Sequence, residues 1–117
     1  MRYFTLEEFD SPDLPGSGEL MDPVFLELLD KARAYAGIPF YITSGYRTKE
    51  HNLNVGGVSN SAHRYGLACD ITCIDSVERF KIIEALLYVG FNRIGIHQSF
   101  IHVDTSSSKA QFVCWTY

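Results

Sequence analysis

Residues 93–105 read RIGIHQSFIHVDT, two β-branched runs on either side of Gln98-Ser99, and the way they fold back on one another organises the rest of the chain. A two-residue turn at Gln98-Ser99 sets His97 against Phe100, Ile96 against Ile101 and Gly95 against His102. Ile94, Ile96, Ile101 and Val103 then share the core face of the hairpin. Gly95, His97, Phe100, His102 and Asp104 share the opposite face. The residue across from His102 has no side chain, which leaves space beside the imidazole. Gln-Ser lacks the glycine that primed two-residue turns prefer, so this register rests on the alternation rather than on turn chemistry.

Working outward, residues 67–73 read LACDITC. The same alternation sends Leu67, Cys69, Ile71 and Cys73 to one side and Ala68, Asp70 and Thr72 to the other, so Asp70 joins the histidine face. Taken alone, Asp70 also fits a solvated carboxylate on an edge strand, although apolar neighbours favour a paired one. His102, between Ile101 and Val103, also fits a structural histidine. Residues 40–43 and 111–116 are further strand-like runs. Asp22-Pro23 is a cap followed by a first-turn proline, and Val24, Phe25, Leu28, Leu29 and Ala32 follow at helical spacing until Gly37. A second helix starts at Asp75 or Ser76, with Glu78 available for a capping box, and carries Phe80, Ile83, Leu86 and Leu87 to a stop at Gly90. Two helices packed on one face of a small, mainly antiparallel sheet make the fold class α+β. Residues 44–66, SGYRTKEHNLNVGGVSNSAHRYG, form a long polar stretch, and a loop of that length inside a compact unit is usually functional.

At 117 residues the chain fits one domain spanning 1–117. With 46% hydrophobic residues, eight Phe, seven Tyr and one Trp, it has material for a core without staples. A formal charge of −4 argues against nucleic acid or an anionic membrane as partner, since both select clustered Lys and Arg. The opening stretch carries charges where a signal peptide needs an apolar run, and nothing approaches the roughly 18 apolar residues of a membrane span. The chain is therefore expected in the cytoplasm as synthesised. Cys69 and Cys73 lie about 13 Å apart on a strand at ~3.3 Å per residue, beyond disulfide reach, and all three cysteines are expected to be reduced. Their spacing matches no zinc-finger pattern.

The chain resembles the zinc D-Ala-D-Ala carboxypeptidase family of M15-type peptidases, including short phage and prophage members that share a fold with hedgehog signalling domains. The resemblance rests on Ser44-Gly45-Tyr46-Arg47, on Ser61-Ala62-His63 with Gly66, Ala68 and Asp70 behind it, and on Phe100-Ile101-His102-Val103-Asp104. It extends to the opening residues 3–9, YFTLEEF, and to Asn54-Val55-Gly56-Gly57. It implies that His63, Asp70 and His102 hold one zinc ion per chain. Two imidazoles and a carboxylate leave zinc an open position for water, as catalytic sites do. Arg47 matches the family arginine that faces the substrate carbonyl or its developing oxyanion, a role a fixed guanidinium suits; a surface ion pair is the plainer alternative.

His97 matches an active-site histidine described for part of the family and is placed to donate to an oxyanion or to move protons. One departure matters. Three positions before the final ligand the family carries an acid that acts as general base, and Ser99 stands there instead. His97 is the first candidate to replace it and Asp104 the second, although Asp104 also fits a carboxylate that orients His102 or a structural role. Ser61, Tyr46 and Asn54, with Arg47, are the expected substrate contacts. Tyr46 and Tyr65 fit packing residues that pin the loop equally well, and His51 reads as a solvated side chain. The function expected is hydrolysis of an amide bond in a peptidoglycan stem peptide by a monomer. A phage-type release would bring the protein to the cell wall. The alternative is a degenerate member that keeps zinc for folding and binds wall peptide or a protein without cutting it. A metal-free fold with coincidental histidines is the third possibility.

Overall fold

A computed structural model describes all residues, 1–117. Helix α1 spans Pro23–Ala36, where the Asp22 carboxylate accepts the Phe25 N–H, Pro23 opens the first turn and Gly37 at φ 69° closes the last. Its inner stripe is Phe25, Leu26, Leu29 and Ala32. Val24, expected on that stripe, is 75% exposed, because it sits about 100° round the helix from Phe25 on the far side from Leu26. Helix α3, Ser76–Val89, is capped by Asp75 on the Val77 N–H and ended by Gly90 at φ 108°. Ile82, Ala85 and Leu86 face the core, while Phe80 and Leu87 are 67% and 57% exposed. Those two lie about 140–160° from Ile82 round the helix, so α3 carries apolar residues on both faces and its periodicity is misleading.

The five strands are β1 (Ile42–Ser44), β2 (Ala68–Thr72), β3 (Arg93–Ile96), β4 (Phe100–Asp104) and β5 (Val113–Thr116). They lie in the order β1-β2-β4-β3-β5. The β1/β2, β2/β4 and β3/β4 pairs are antiparallel, but β5 runs parallel to β3, so the sheet is mixed rather than uniform. The hairpin register is Ile94 to Val103, Gly95 to His102 and Ile96 to Ile101, with the His97 N–H closing onto the Phe100 carbonyl at 3.0 Å. Cys69, Ile71, Cys73, Ile94, Ile101 and Val103 pack with α1 and α3 into one core joined by Phe4, Phe9, Phe40 and Phe91. Burial of such side chains is worth roughly 1.5–3 kcal/mol each, so a one-residue slip that turned them to solvent is far costlier than anything on the polar face repays.

The opposite face of the sheet is polar, and the segment 44–66 covers it. This segment is not a continuous loop. It contains α2, Lys49–Asn54, capped by Thr48, and a 3-10 turn, Ala62–Tyr65, capped by Ser61. Only Asn52 of α2 is buried, so this helix has no apolar stripe by which its sequence could announce it. The cysteines are free: Cys69 and Cys73 lie in the core and Cys114 is exposed. No helix is long and apolar enough to cross a membrane.

Candidate metal centre

Asp70 and His102 face each other directly across the β2/β4 ladder, so the backbone pairing alone puts carboxylate and imidazole side by side. Asp70 Oδ1 lies 2.9 Å from His102 Nδ1. His63 arrives from the 3-10 turn ahead of β2, with Nε2 at 3.3 Å from the same Asp70 oxygen. That turn is closed by Gly66 at φ 71°, where a Cβ would stand 2.3 Å from the Leu20 carbonyl oxygen, so no other residue fits. The ligand atoms of His63, Asp70 and His102 all lie within 4.8 Å of one another, and all three residues are buried.

The surrounding hydrogen bonds fix which ring nitrogens are bare. His63 Nδ1–H donates to the Gly45 carbonyl at 2.8 Å, which leaves Nε2 as a lone pair aimed at Asp70. His102 Nε2 lies 2.8 Å from Asp104 Oδ2, and with the proton on that nitrogen Nδ1 turns its lone pair toward Asp70. Asp104 is held in turn by the Arg93 Nε–H at 2.7 Å and the Ser106 N–H at 3.0 Å. Two imidazole lone pairs and a carboxylate oxygen converging on one point repel each other unless a proton or a cation lies between them. Two nitrogens and one oxygen, each oriented by a second hydrogen bond, are the donor set of a catalytic zinc site with one position left for water. No other Cys, His, Asp or Glu belongs to the cluster. The residues therefore fit a single divalent metal of the zinc type.

Electrostatics follow from the same geometry. Burial pushes the Asp70 carboxyl up, but hydrogen bonds from His102 and His63 outweigh it and hold the group well below the usual carboxylate range. Burial lowers His63, and Asp70 only partly offsets it. Burial also lowers His102, yet hydrogen bonds to Asp104 and Asp70 overcome it and raise its pKa above the ordinary 6.5. A proton on His102 is thus held between two carboxylates. It stabilises the fold fully below pH 6.5, and the contribution is lost as pH rises through the raised folded value. Metal must displace that proton, so zinc affinity is expected to climb by about tenfold per pH unit below the folded pKa. Chelator competition at pH 6 and pH 8 measures this, and equal affinities would remove His102 from the ligand set.

Arg47 reaches the cluster from the start of the covering segment. Its Nη2 lies 3.3 Å from Asp70 Oδ2, its Nε donates to Ser44 Oγ at 2.9 Å and its Nη1 to Asn52 Oδ1 at 3.3 Å. Asn52, absent from the sequence-based candidates, is buried and also donates to the Val58 carbonyl at 2.8 Å. A Cβ on Gly57 would stand 2.0 Å from Asn52 Oδ1, so the bare backbone there is what admits the amide. Asn54, the asparagine singled out from sequence, is exposed, since two residues along a helix turn a side chain by about 200°. The other expected substrate contacts are also engaged elsewhere. Ser61 is buried and caps the turn by accepting the His63 N–H at 3.3 Å, and Tyr46 packs against the core.

His97 is half-buried on the same sheet face, with its ring stacked on Phe100 at 4.5 Å between centroids. Its Nδ1 lies 3.1 Å from the Ser99 N–H and 2.9 Å from Ser99 Oγ. Asp104 occupies the edge of His102 remote from Asp70, with both oxygens bonded, which suits holding the ring rather than taking a proton from substrate water. His51, on α2, stays outside the cluster. The space expected beside His102 is filled: Trp115 of β5 pairs with Gly95, and a Cβ there would lie 2.6 Å from the indole Nε1. A peptidase M15 family model matches residues 3–104. No curated protein matches the chain.

Proposed function

The chain belongs to the peptidase M15 family, and from that premise we propose that it is a zinc peptidase hydrolysing an amide bond of a peptidoglycan stem peptide, as a D-Ala-D-Ala carboxypeptidase or an endopeptidase. The observation that carries the reading is the convergence of His63, Asp70 and His102, with Arg47 at their side, on the polar face of the sheet. These three residues would hold the metal. Zinc, when bound, polarises a carbonyl and brings the pKa of water toward neutrality.

The rest of the chemistry belongs to the chain. Arg47, braced by Ser44 and Asn52, presents a fixed positive charge to the scissile carbonyl oxygen as it becomes an oxyanion. Asp104 and Arg93 keep the His102 ring from turning. Ser99 replaces the family acid but offers His97 Nδ1 both a donor, its N–H, and an acceptor, its hydroxyl. His97 Nδ1 thus has a partner on Ser99 in either tautomer. With Nδ1–H on Ser99 Oγ, Nε2 is free to take a proton from the attacking water and return it to the leaving amine.

Purified muropeptides incubated with the zinc-loaded protein should be cut, and cutting should stop on chelation and resume with added zinc. His97→Ala should keep its zinc while losing about 10²–10⁴-fold in rate. The presence of Ser99 in place of the acid favours one other reading, a module that holds zinc and binds wall peptide without cleaving it. Zinc-loaded protein that binds muropeptides and releases no product would establish that second reading.

A further inference from the structure

Strand β5 lies outside residues 3–104, yet it forms the sheet edge beside β3, the strand that pairs with His102-bearing β4. Its parallel register, Arg93 to Val113 and Gly95 to Trp115, carries on to set Tyr117 beside His97. Trp115 fills the notch over Gly95, with its ring 5.5 Å from that of His102 and the Arg93 guanidinium 5.1 Å above it. Tyr117 stands one step further along. Its ring meets His97 edge-on at 5.6 Å and Phe100 at 5.3 Å, so His97, Phe100 and Tyr117 form one aromatic group at the rim of the cluster. Tyr117 is nonetheless 65% exposed, so most of its surface is free to meet a ligand. A tyrosine hydroxyl keeps its proton at neutral pH and is therefore available as a donor.

We propose that Tyr117 is a substrate-contacting residue: with His97 it forms an aromatic wall for a small apolar side chain next to the scissile bond, and its hydroxyl donates to an oxygen of the peptide. The class of ligand is a peptide with an apolar side chain beside the cut. This inference rests on the peptidase reading above. Trp115 is a positioning residue that packs against His102 and sets the height of the wall. A tyrosine ring is suited to such a surface because it offers a broad apolar plane with only two side-chain torsions to freeze and a polar tip.

Trp115, the single tryptophan of the chain, provides a readout independent of turnover. The full chain and its Tyr117→Phe and Tyr117→Ala variants are titrated with purified muropeptides, first in the zinc-loaded form for kcat and KM and then after chelation, following Trp115 emission for binding. Tyr117→Phe is expected to lose about tenfold in kcat/KM and in metal-free binding, the worth of one hydrogen bond to a substrate oxygen. Tyr117→Ala is expected to lose more, chiefly in KM, with zinc content and melting temperature unchanged. Variants within twofold of the unmodified chain in both measurements would overturn the proposal while leaving the peptidase reading intact. If the unmodified chain cuts nothing, the peptidase reading fails by itself and the emission titration still decides for Tyr117. Binding weakened in the variants then supports the contact, whereas unchanged or absent binding refutes it.

Discussion

Asp70→Asn is expected to leave the protein folded, free of zinc and without peptidase activity. Asp70 is the hub of the site: Oδ1 lies between His63 Nε2 at 3.3 Å and His102 Nδ1 at 2.9 Å, and Oδ2 faces Arg47 at 3.3 Å. The amide has the same shape but carries no charge. A divalent cation would then meet two neutral imidazoles and a weak oxygen donor, with the Arg47 guanidinium close by and no anion between them. The lost charge stabilisation amounts to several kcal/mol, on the order of a 10³-fold fall in rate or more. The β2/β4 ladder is made of backbone hydrogen bonds and the core lies on the other face, so circular dichroism should not change. Metal analysis and muropeptide digestion are the measurements. A variant that still loads zinc and cuts peptide would show that the carboxylate is not a ligand.

Arg47→Met should lower kcat by about 10²–10³-fold, close to 3–4 kcal/mol of transition-state stabilisation, with zinc retained and KM little altered. Methionine replaces the stem of the side chain and removes its charge. The wild-type guanidinium is held by Ser44, Asn52 and Asp70 together, so its orientation is fixed before substrate arrives. Lysine should rescue poorly, because a point charge on a flexible stem cannot keep the three bonds of a planar fork. Loss of zinc along with activity would instead make Arg47 a support for the Asp70 carboxylate.

The parts of this site that lie on half-buried strands were legible in the sequence. Alternation in residues 67–73 and 93–105 sends isoleucine, valine and cysteine one way and Asp70, His97, His102 and Asp104 the other, because a two-residue period admits only one assignment that hides the apolar side. His63 had no such support. It sits on a short 3-10 turn with no periodicity, and only the family resemblance drew attention to it. Asn52 was missed because the only apolar residue of α2, Leu53, is exposed, and nothing distinguishes Asn52 from Asn54 until the helix is in place. The empty space assigned beside His102 was a local inference. Gly95 does lack a side chain, but the parallel return of β5 brings Trp115 from twenty residues along the chain to occupy it. Crossovers of that kind leave no mark on the flanking segments. Val24, Phe80 and Leu87 show the opposite error, where apolar residues at helical spacing belong to the outer flank.

The division of the sheet into an apolar face and a polar face separates two properties that often travel together. Asp70 and His102 are carried by neighbouring central strands whose alignment depends on the isoleucines and valines behind them, and His63 by the short turn that leads into the first of those strands. The frame of the site is thus set by core packing on the opposite side of the sheet. Chelation is therefore expected to leave the circular dichroism of the chain unchanged, since the packing that aligns the two strands lies on the other side of the sheet.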